Sequence, residues 1–336
     1  MSATPAFDGF NYRAPRWLPG GDLQTLWAAT RARRHDGRAA VWQRERWATP
    51  DGDFVDVDHQ ALPADGGSGP RQHLVLFHGL EGSSASAYAQ AFASIARQRG
   101  WAFSVPHFRG CSGALNHAPR AYHSGDFEEV GWMLHRLRQH SAAPLLVAGV
   151  SLGGNALMRW AQEAGESAAA SAAAVAAISA PLDLAAAGAA IDAGFNRQVY
   201  ARNFLRTMKP KAMAKWQQHP GLFDRERVAA ARTIFEFDDA FTAPLHGFRG
   251  TADYWARASA APHLGRLRIP ALLLNARNDP FVPAASLPHD GGRWATLWQP
   301  AQGGHCGFPA GGFPAQVLAM PAAVCGWLAV HAASLS

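Results

Sequence analysis

Residues 144–164 read PLLVAGVSLGGNALMRWAQEA. PLLVAG (144–149) is short and apolar, as a buried strand should be, and Gly154 to Glu163 reads as helix. Between them, Gly149-Val150-Ser151-Leu152-Gly153 must turn strand into helix within a few residues. Glycines two before and two after Ser151 keep Cβ atoms from clashing in so sharp a turn. The turn leaves Ser151 in a strained backbone with its Oγ exposed, and the helix N-terminus behind it favours developing negative charge. Five residues alone would equally suit a Gly-rich turn without chemistry. The strand before and the helix after favour a nucleophile.

Working outward, the same alternation recurs. HLVLFHG (73–79) is a strand, and a helix over 86–99 closes at Gly100. WAFSVPHFRG (101–110) is the next strand and loop. Asp126 with Glu129 predicts a capping-box-like helix start, with Val130, Leu134 and Leu137 on one face. AAVAAIS (173–179), ALLLN (271–275) and ATLWQ (295–299) are further strands. Strands alternating with helices predict an α/β fold, a mostly parallel sheet with helices on both faces. Residues 1–70 read as an irregular segment with one or two strands. VWQRERW (41–47) and FVDVDH (54–59) form a hairpin about Asp51-Gly52, and ADGGSGP (64–70) is a loop. The interval 183–262 breaks the rhythm. Loops of that length rarely lack structure, so an inserted helical lid within a single domain over 1–336 is expected.

Composition bounds the rest. Of 336 residues 48% are hydrophobic and 17% charged, which excludes a coiled coil and wholesale disorder. Cys111, Cys306 and Cys325 are too few and scattered for a disulfide framework or a zinc site, so no metal or cofactor is expected. The first residues lack the apolar core of a secretory signal, and no run is long enough to span a bilayer, which predicts a cytoplasmic protein.

A serine nucleophile of this kind needs an acid and a histidine, in the order Ser, Asp or Glu, His. Asp279 stands after the strand ALLLN, just before Pro280; Asp183, after the preceding strand, is its rival. His305 follows the last strand in QGGHCGF, between glycines; its near neighbour His289, in a Pro/Gly-rich loop, reads as solvent-exposed. In this reading His305 takes the Ser151 proton, Asp279 holds the imidazole tautomer, and Ser151 forms an acyl-enzyme. The oxyanion would be met by the backbone N–H groups of Leu152 and Leu80. His78 reads as a packed loop histidine without a chemical role.

With these residues in view, the sequence resembles the AB hydrolase 4 family, the YheT-like esterases of the α/β-hydrolase superfamily. The resemblance spans about residues 10–330. It is carried by HGLEGSS (78–84), FRGCSG (108–113), HSGDFEEV (123–130), GVSLGGN (149–155), FDDAFTAPLHGF (237–248), NARNDPF (275–281) and GGHCGF (303–308). It implies an α/β-hydrolase fold and a serine hydrolase acting on carboxylic esters, small or lipid-like, with Ser151, Asp279 and His305 as the charge relay. FRGCSG and FDDAFTAPLHGF are expected as structural loops around the site. An acyltransferase or thioesterase would use the same three residues. A silent ligand-binding protein would have no need of all of them.

The net charge of +6 is concentrated. Nine Lys and Arg between Arg197 and Arg232, against Asp224 and Glu226, give that stretch +7. Such a run is ordinarily a solvated helix face. The sharper expectation is a basic lid that touches anionic lipid, with Lys209, Lys211 and Lys215 on the contacting surface. No nucleic-acid-binding motif accompanies the charge.

Overall fold

The computed structural model describes residues 10–61, 72–141 and 145–333. Eight strands form one sheet: β1 (Trp42–Ala48), β2 (Phe54–Gln60), β3 (His73–Phe77), β4 (Ala102–Pro106), β5 (Leu145–Val150), β6 (Ala174–Ile178), β7 (Ala271–Leu274) and β8 (Ala295–Trp298). Their order is β1-β2-β4-β3-β5-β6-β7-β8. β2 pairs antiparallel with β1 and β4; the other pairings are parallel. The expected hairpin about Asp51-Gly52 is present, closed by Thr49 N–H to Asp53 O.

β5, β6 and β7 are apolar at every position, and β3 at all but His73, because both faces are covered. Side chains alternate across the sheet, so Val75 and Phe77 join one core while Leu74 and Leu76 join the other. On the first face lie α3 (Phe127–Gln139), with Val130, Leu134 and Leu137 buried as its spacing predicts, and α4 (Leu152–Ala164). The second face is covered by α2 (Ala87–Gln98) and by the helix Ala319–Ala333 through Val324, Trp327 and Leu328.

Two local expectations need correction. Residues 1–70 are not merely irregular: α1 (Gly21–Thr30) is a helix. Asp126 precedes α3 without capping it. Its carboxylate pairs with Arg120 at 2.7 Å, while Glu129 pairs with Arg109, so both members of the expected capping box are drawn into ion pairs. The loop expected at 64–70 lies outside the described residues.

Between β6 and β7 the chain runs through helices Leu184–Ile191, Arg202–Gln218, Arg225–Ala230 and Thr251–Ala258, joined by shorter turns. They share a core of their own, including Leu205, Phe237, Phe241 and Trp255. The basic run does not form one outer face. Lys215 is buried and donates to Asn116 O and Ala118 O at 2.6 and 2.9 Å. Lys211 turns inward to Glu81 at 2.9 Å. The expectation that Lys209, Lys211 and Lys215 face outward together therefore fails, because backbone carbonyls and a carboxylate from loops distant in sequence claim two of them. No helix among the described residues is long and apolar enough to cross a membrane.

Candidate active site

Ser151 stands between β5 and α4 with φ 54° and ψ −122°, the strained turn that the sequence predicts. The glycines permit it. A Cβ on Gly149 would lie 2.5 Å from Gly153 O, and one on Gly153 would lie 2.4 Å from His78 O. Backbone atoms cannot make room at those distances, so only hydrogen fits.

His305 Nε2 is 2.9 Å from Ser151 Oγ, and His305 Nδ1 is 2.9 and 3.1 Å from the two carboxylate oxygens of Asp279. Residues from three separate loops thus meet in one hydrogen-bonded line. Asp279 is buried, and its Oδ1 also accepts the N–H groups of Phe281 and Val282 at 2.8 and 3.3 Å. Burial disfavours charge on the His305 imidazole, but the Asp279 carboxylate outweighs it and holds the imidazole pKa above its ordinary range. Asp183, the rival acid, instead caps helix Leu184–Ile191 by accepting Ala186 N–H at 3.0 Å. His289 is exposed.

The loop after β3 runs beside the serine: a Cβ on Gly79 would lie 3.1 Å from Ser151 Cβ. Its amides are almost all engaged. Gly79 N–H donates to Tyr88 Oη at 2.9 Å, Glu81 N–H to Tyr122 Oη at 3.0 Å, and Gly82 N–H to Gly79 O at 2.9 Å. Leu80 N–H is left without an acceptor among the described residues, as is Leu152 N–H in the first turn of α4. His78 is fully buried and bridges two loops, bonding Gly79 O through Nδ1 and accepting Phe108 N–H at Nε2. Burial drives its pKa down to about 3, which suits a neutral packed histidine.

Two supports were not legible beforehand. Tyr88 and Tyr122 hold the Leu80 loop, and Glu81 ties it to Lys211 of the helical segment. The loop carrying His305 has four successive amides, each caught by a side-chain oxygen. Gly303 N–H donates to Gln24 Oε1 at 2.9 Å, Gly304 N–H to Asn278 Oδ1 at 3.1 Å, His305 N–H to Thr25 Oγ1 at 2.8 Å and Cys306 N–H to Ser179 Oγ at 3.0 Å. A loop without a ladder partner must satisfy its amides this way. Gln24 and Thr25 belong to α1. Their polar side chains at adjacent positions of a helix were the one available signal.

Ser151, Leu152, Leu80 and His305 open onto a cavity of about 160 Å³. Its walls are largely apolar, with Leu184, Ile191, Phe204, Phe237, Phe241 and Trp255 from the helical segment. FDDAFTAPLHGF, expected as a loop, is instead largely helical through Leu245, and its Phe237 and Phe241 supply wall residues. In FRGCSG, Arg109 is an ion-pair hub for Asp51, Asp53 and Glu129 beside the cavity.

Comparison with known proteins fits this geometry. The alpha/beta hydrolase fold family model matches residues 72–311. YheT of Escherichia coli (strain K12), named as a candidate esterase, is 40% identical over 250 residues, covering 74% of this chain and 72% of YheT. Mouse phospholipase ABHD3 is 29% identical over 270 residues, covering 79% of this chain and 64% of its own. A monoacylglycerol lipase of Saccharomyces cerevisiae is 25% identical over 247 residues, covering 70% of this chain and 54% of its own. The chain thus spans less than two thirds of either eukaryotic relative. Among solved structures, a puromycin-hydrolyzing peptidase of Mycobacterium tuberculosis shares the fold at TM-score 0.53 and 17% identity, over 88% of this chain and 40% of that one. With the sheet order, the strained serine turn and these matches in agreement, the chain belongs to the α/β-hydrolase family, and within it to the YheT-like AB hydrolase 4 group.

Proposed function

We propose that this α/β hydrolase is a serine esterase that cleaves carboxylic esters with an apolar acyl part, using Ser151, His305 and Asp279. The observation that carries the reading is the 2.9 Å approach of His305 Nε2 to Ser151 Oγ at the wall of an apolar cavity. His305 accepts the Oγ proton as Oγ bonds the ester carbonyl carbon, and the carbonyl electron pair moves onto oxygen. The free amides Leu80 N–H and Leu152 N–H receive that oxyanion, with the N-terminus of α4 behind them. The C–O bond then breaks, and His305 returns its proton to the departing alcohol. Water repeats the sequence to release the acid. Asp279 keeps Nδ1–H pointed at itself, so that Nε2 is the free base, and stabilises the imidazolium between the two proton transfers.

The helical segment 183–262 acts in this reading as a lid. Its apolar side chains form most of the cavity wall and would hold an acyl chain, whose burial contributes about 0.8 kcal/mol per CH₂. The names of the mouse and yeast relatives support lipid-like esters as substrates. The test is a series of p-nitrophenyl esters of increasing acyl length, with Ser151→Ala as control. Turnover should rise with chain length and then fall once the cavity is filled. Ser151→Ala should lose on the order of 10⁶-fold in kcat and all labelling by a fluorophosphonate. Labelling that persists in Ser151→Ala would sink the assignment.

A further inference from the structure

Six large hydrophobic side chains are exposed among the described residues, and four of them, Trp17, Leu23, Phe195 and Phe313, gather around α1. Trp17, Trp27 and Phe313 lie with ring centroids 5.2 to 5.8 Å apart. Leu23 and Trp27 fall at i and i+4, so they share one side of α1, and the exposed Arg31 follows at its C-terminal end. The opposite side carries Gln24, Thr25 and Ala28, all buried. Phe195 is joined to this region through Tyr200, whose ring lies 6.2 Å from it and whose Oη donates to Asp22 Oδ1 at 3.0 Å.

The same surface is cationic. Arg13, Arg16, Arg31 and Arg33 are exposed and form no ion pair among the described residues. Of the nearby acids, Asp22 is engaged by Tyr200, and Asp36 pairs with Arg97. Exposed aromatic rings flanked by uncompensated arginines match the two halves of a membrane interface, since Trp sits at headgroup depth and Arg meets lipid phosphate. A ring-to-ring path leads inward from this face: Phe195 to Tyr200 at 6.2 Å, Tyr200 to Phe281 at 4.6 Å and Phe281 to His305 at 4.2 Å.

We propose that the outer face of α1, with Trp17, Phe313 and Phe195, is the surface by which this protein docks onto an anionic lipid bilayer. The docking face is therefore not the basic run of the helical segment, whose Lys211 and Lys215 turn inward. Delivery of a lipid ester from the bilayer to Ser151 rests on the esterase reading above. Docking itself does not, and sedimentation measures it without turnover.

The experiment compares vesicles of pure phosphatidylcholine with vesicles of phosphatidylcholine and phosphatidylglycerol. The full chain should sediment with the mixed vesicles, weakly with the neutral ones, and less as salt rises. The variant Arg13→Gln, Arg16→Gln, Arg31→Gln, Arg33→Gln should lower the partition about tenfold or more, since each basic side chain near such a surface contributes roughly a fivefold factor before screening. Trp17→Ser with Phe313→Ser should lose binding to the mixed vesicles. Arg206→Gln with Arg225→Gln, on the helical segment, should bind as wild type. All three variants should turn over a small soluble ester at the wild-type rate. Failure of the wild type to sediment with mixed vesicles overturns the proposal. So does unchanged binding by the quadruple variant, or loss confined to Arg206→Gln with Arg225→Gln. A concentration-dependent dimer abolished by Trp17→Ser with Phe313→Ser, without vesicle binding, would make the face a contact between copies and also overturn it. Vesicle binding without ester turnover would leave docking intact and sink the esterase reading instead.

Discussion

Replacing Thr25 by Val removes one oxygen and almost no volume. Thr25 Oγ1 accepts His305 N–H at 2.8 Å and donates to Gly21 O at 2.7 Å, and the residue is buried. Valine leaves the His305 amide without an acceptor where water has little access. An unsatisfied buried amide costs about 1–3 kcal/mol. Gln24, Asn278 and Ser179 still hold the amides on either side, so the loop stays close to its place and the penalty falls on the conformer that keeps His305 in line with Ser151 and Asp279. A bias of that size corresponds to roughly a 5- to 150-fold fall in the reactive population, and hence in kcat. KM for a short soluble ester should stay within about twofold, because Thr25 does not line the cavity. Thr25→Ser restores the oxygen and should recover most of kcat. The assay is steady-state hydrolysis of a p-nitrophenyl ester, with the fluorophosphonate labelling rate as a second readout. Wild-type kcat in Thr25→Val, or equal impairment in Thr25→Ser, would refute the claim that this hydroxyl positions the histidine.

Asp279→Asn should lower kcat by roughly 10⁴-fold through the wrong imidazole tautomer, while Asp183→Asn stays active. Because the Asp279 carboxylate raises the His305 pKa, and the base must be neutral, residual kcat/KM in Asp279→Asn should keep its plateau to lower pH; an unmoved acid limb would contradict that coupling. Gly153→Ala places a Cβ 2.4 Å from His78 O, so thermal unfolding should show about 1–3 kcal/mol lost from the strand–helix turn. Lys211→Met breaks the pair with Glu81 that ties the Leu80 loop to the helical segment. Lys211 is 38% exposed, so the pair contributes little and kcat should fall about fivefold at most; a drop of hundreds-fold would show that Lys211 does more than brace the loop.

The strand–turn–helix at Ser151 was legible in the sequence because its constraints are local. Apolar runs of strand length, a helix beginning at once, and glycines where a Cβ has no room are all encoded within about twenty residues. Topology then led from Ser151, after β5, to Asp279, after β7, and His305, after β8, since residues that follow parallel strands of one sheet emerge at the same edge. What the tertiary structure alone decided depends on partners far apart in the chain. Thr25 and His305 are 280 positions apart, and Gln24 and Gly303 279. Within the ten residues of α1, only the adjacent polar pair Gln24 and Thr25 hints at a polar partner, and nothing there says that the partner is the histidine loop. The charge run misled for the same reason. Lysine spacing predicts a surface only while each side chain is free to reach water, and Lys215 is instead held by carbonyls 97 and 99 positions away. A sequence pattern reports the periodicity of an element; which side turns inward, and which polar atoms become partners there, follows from how the packed elements satisfy one another's hydrogen bonds.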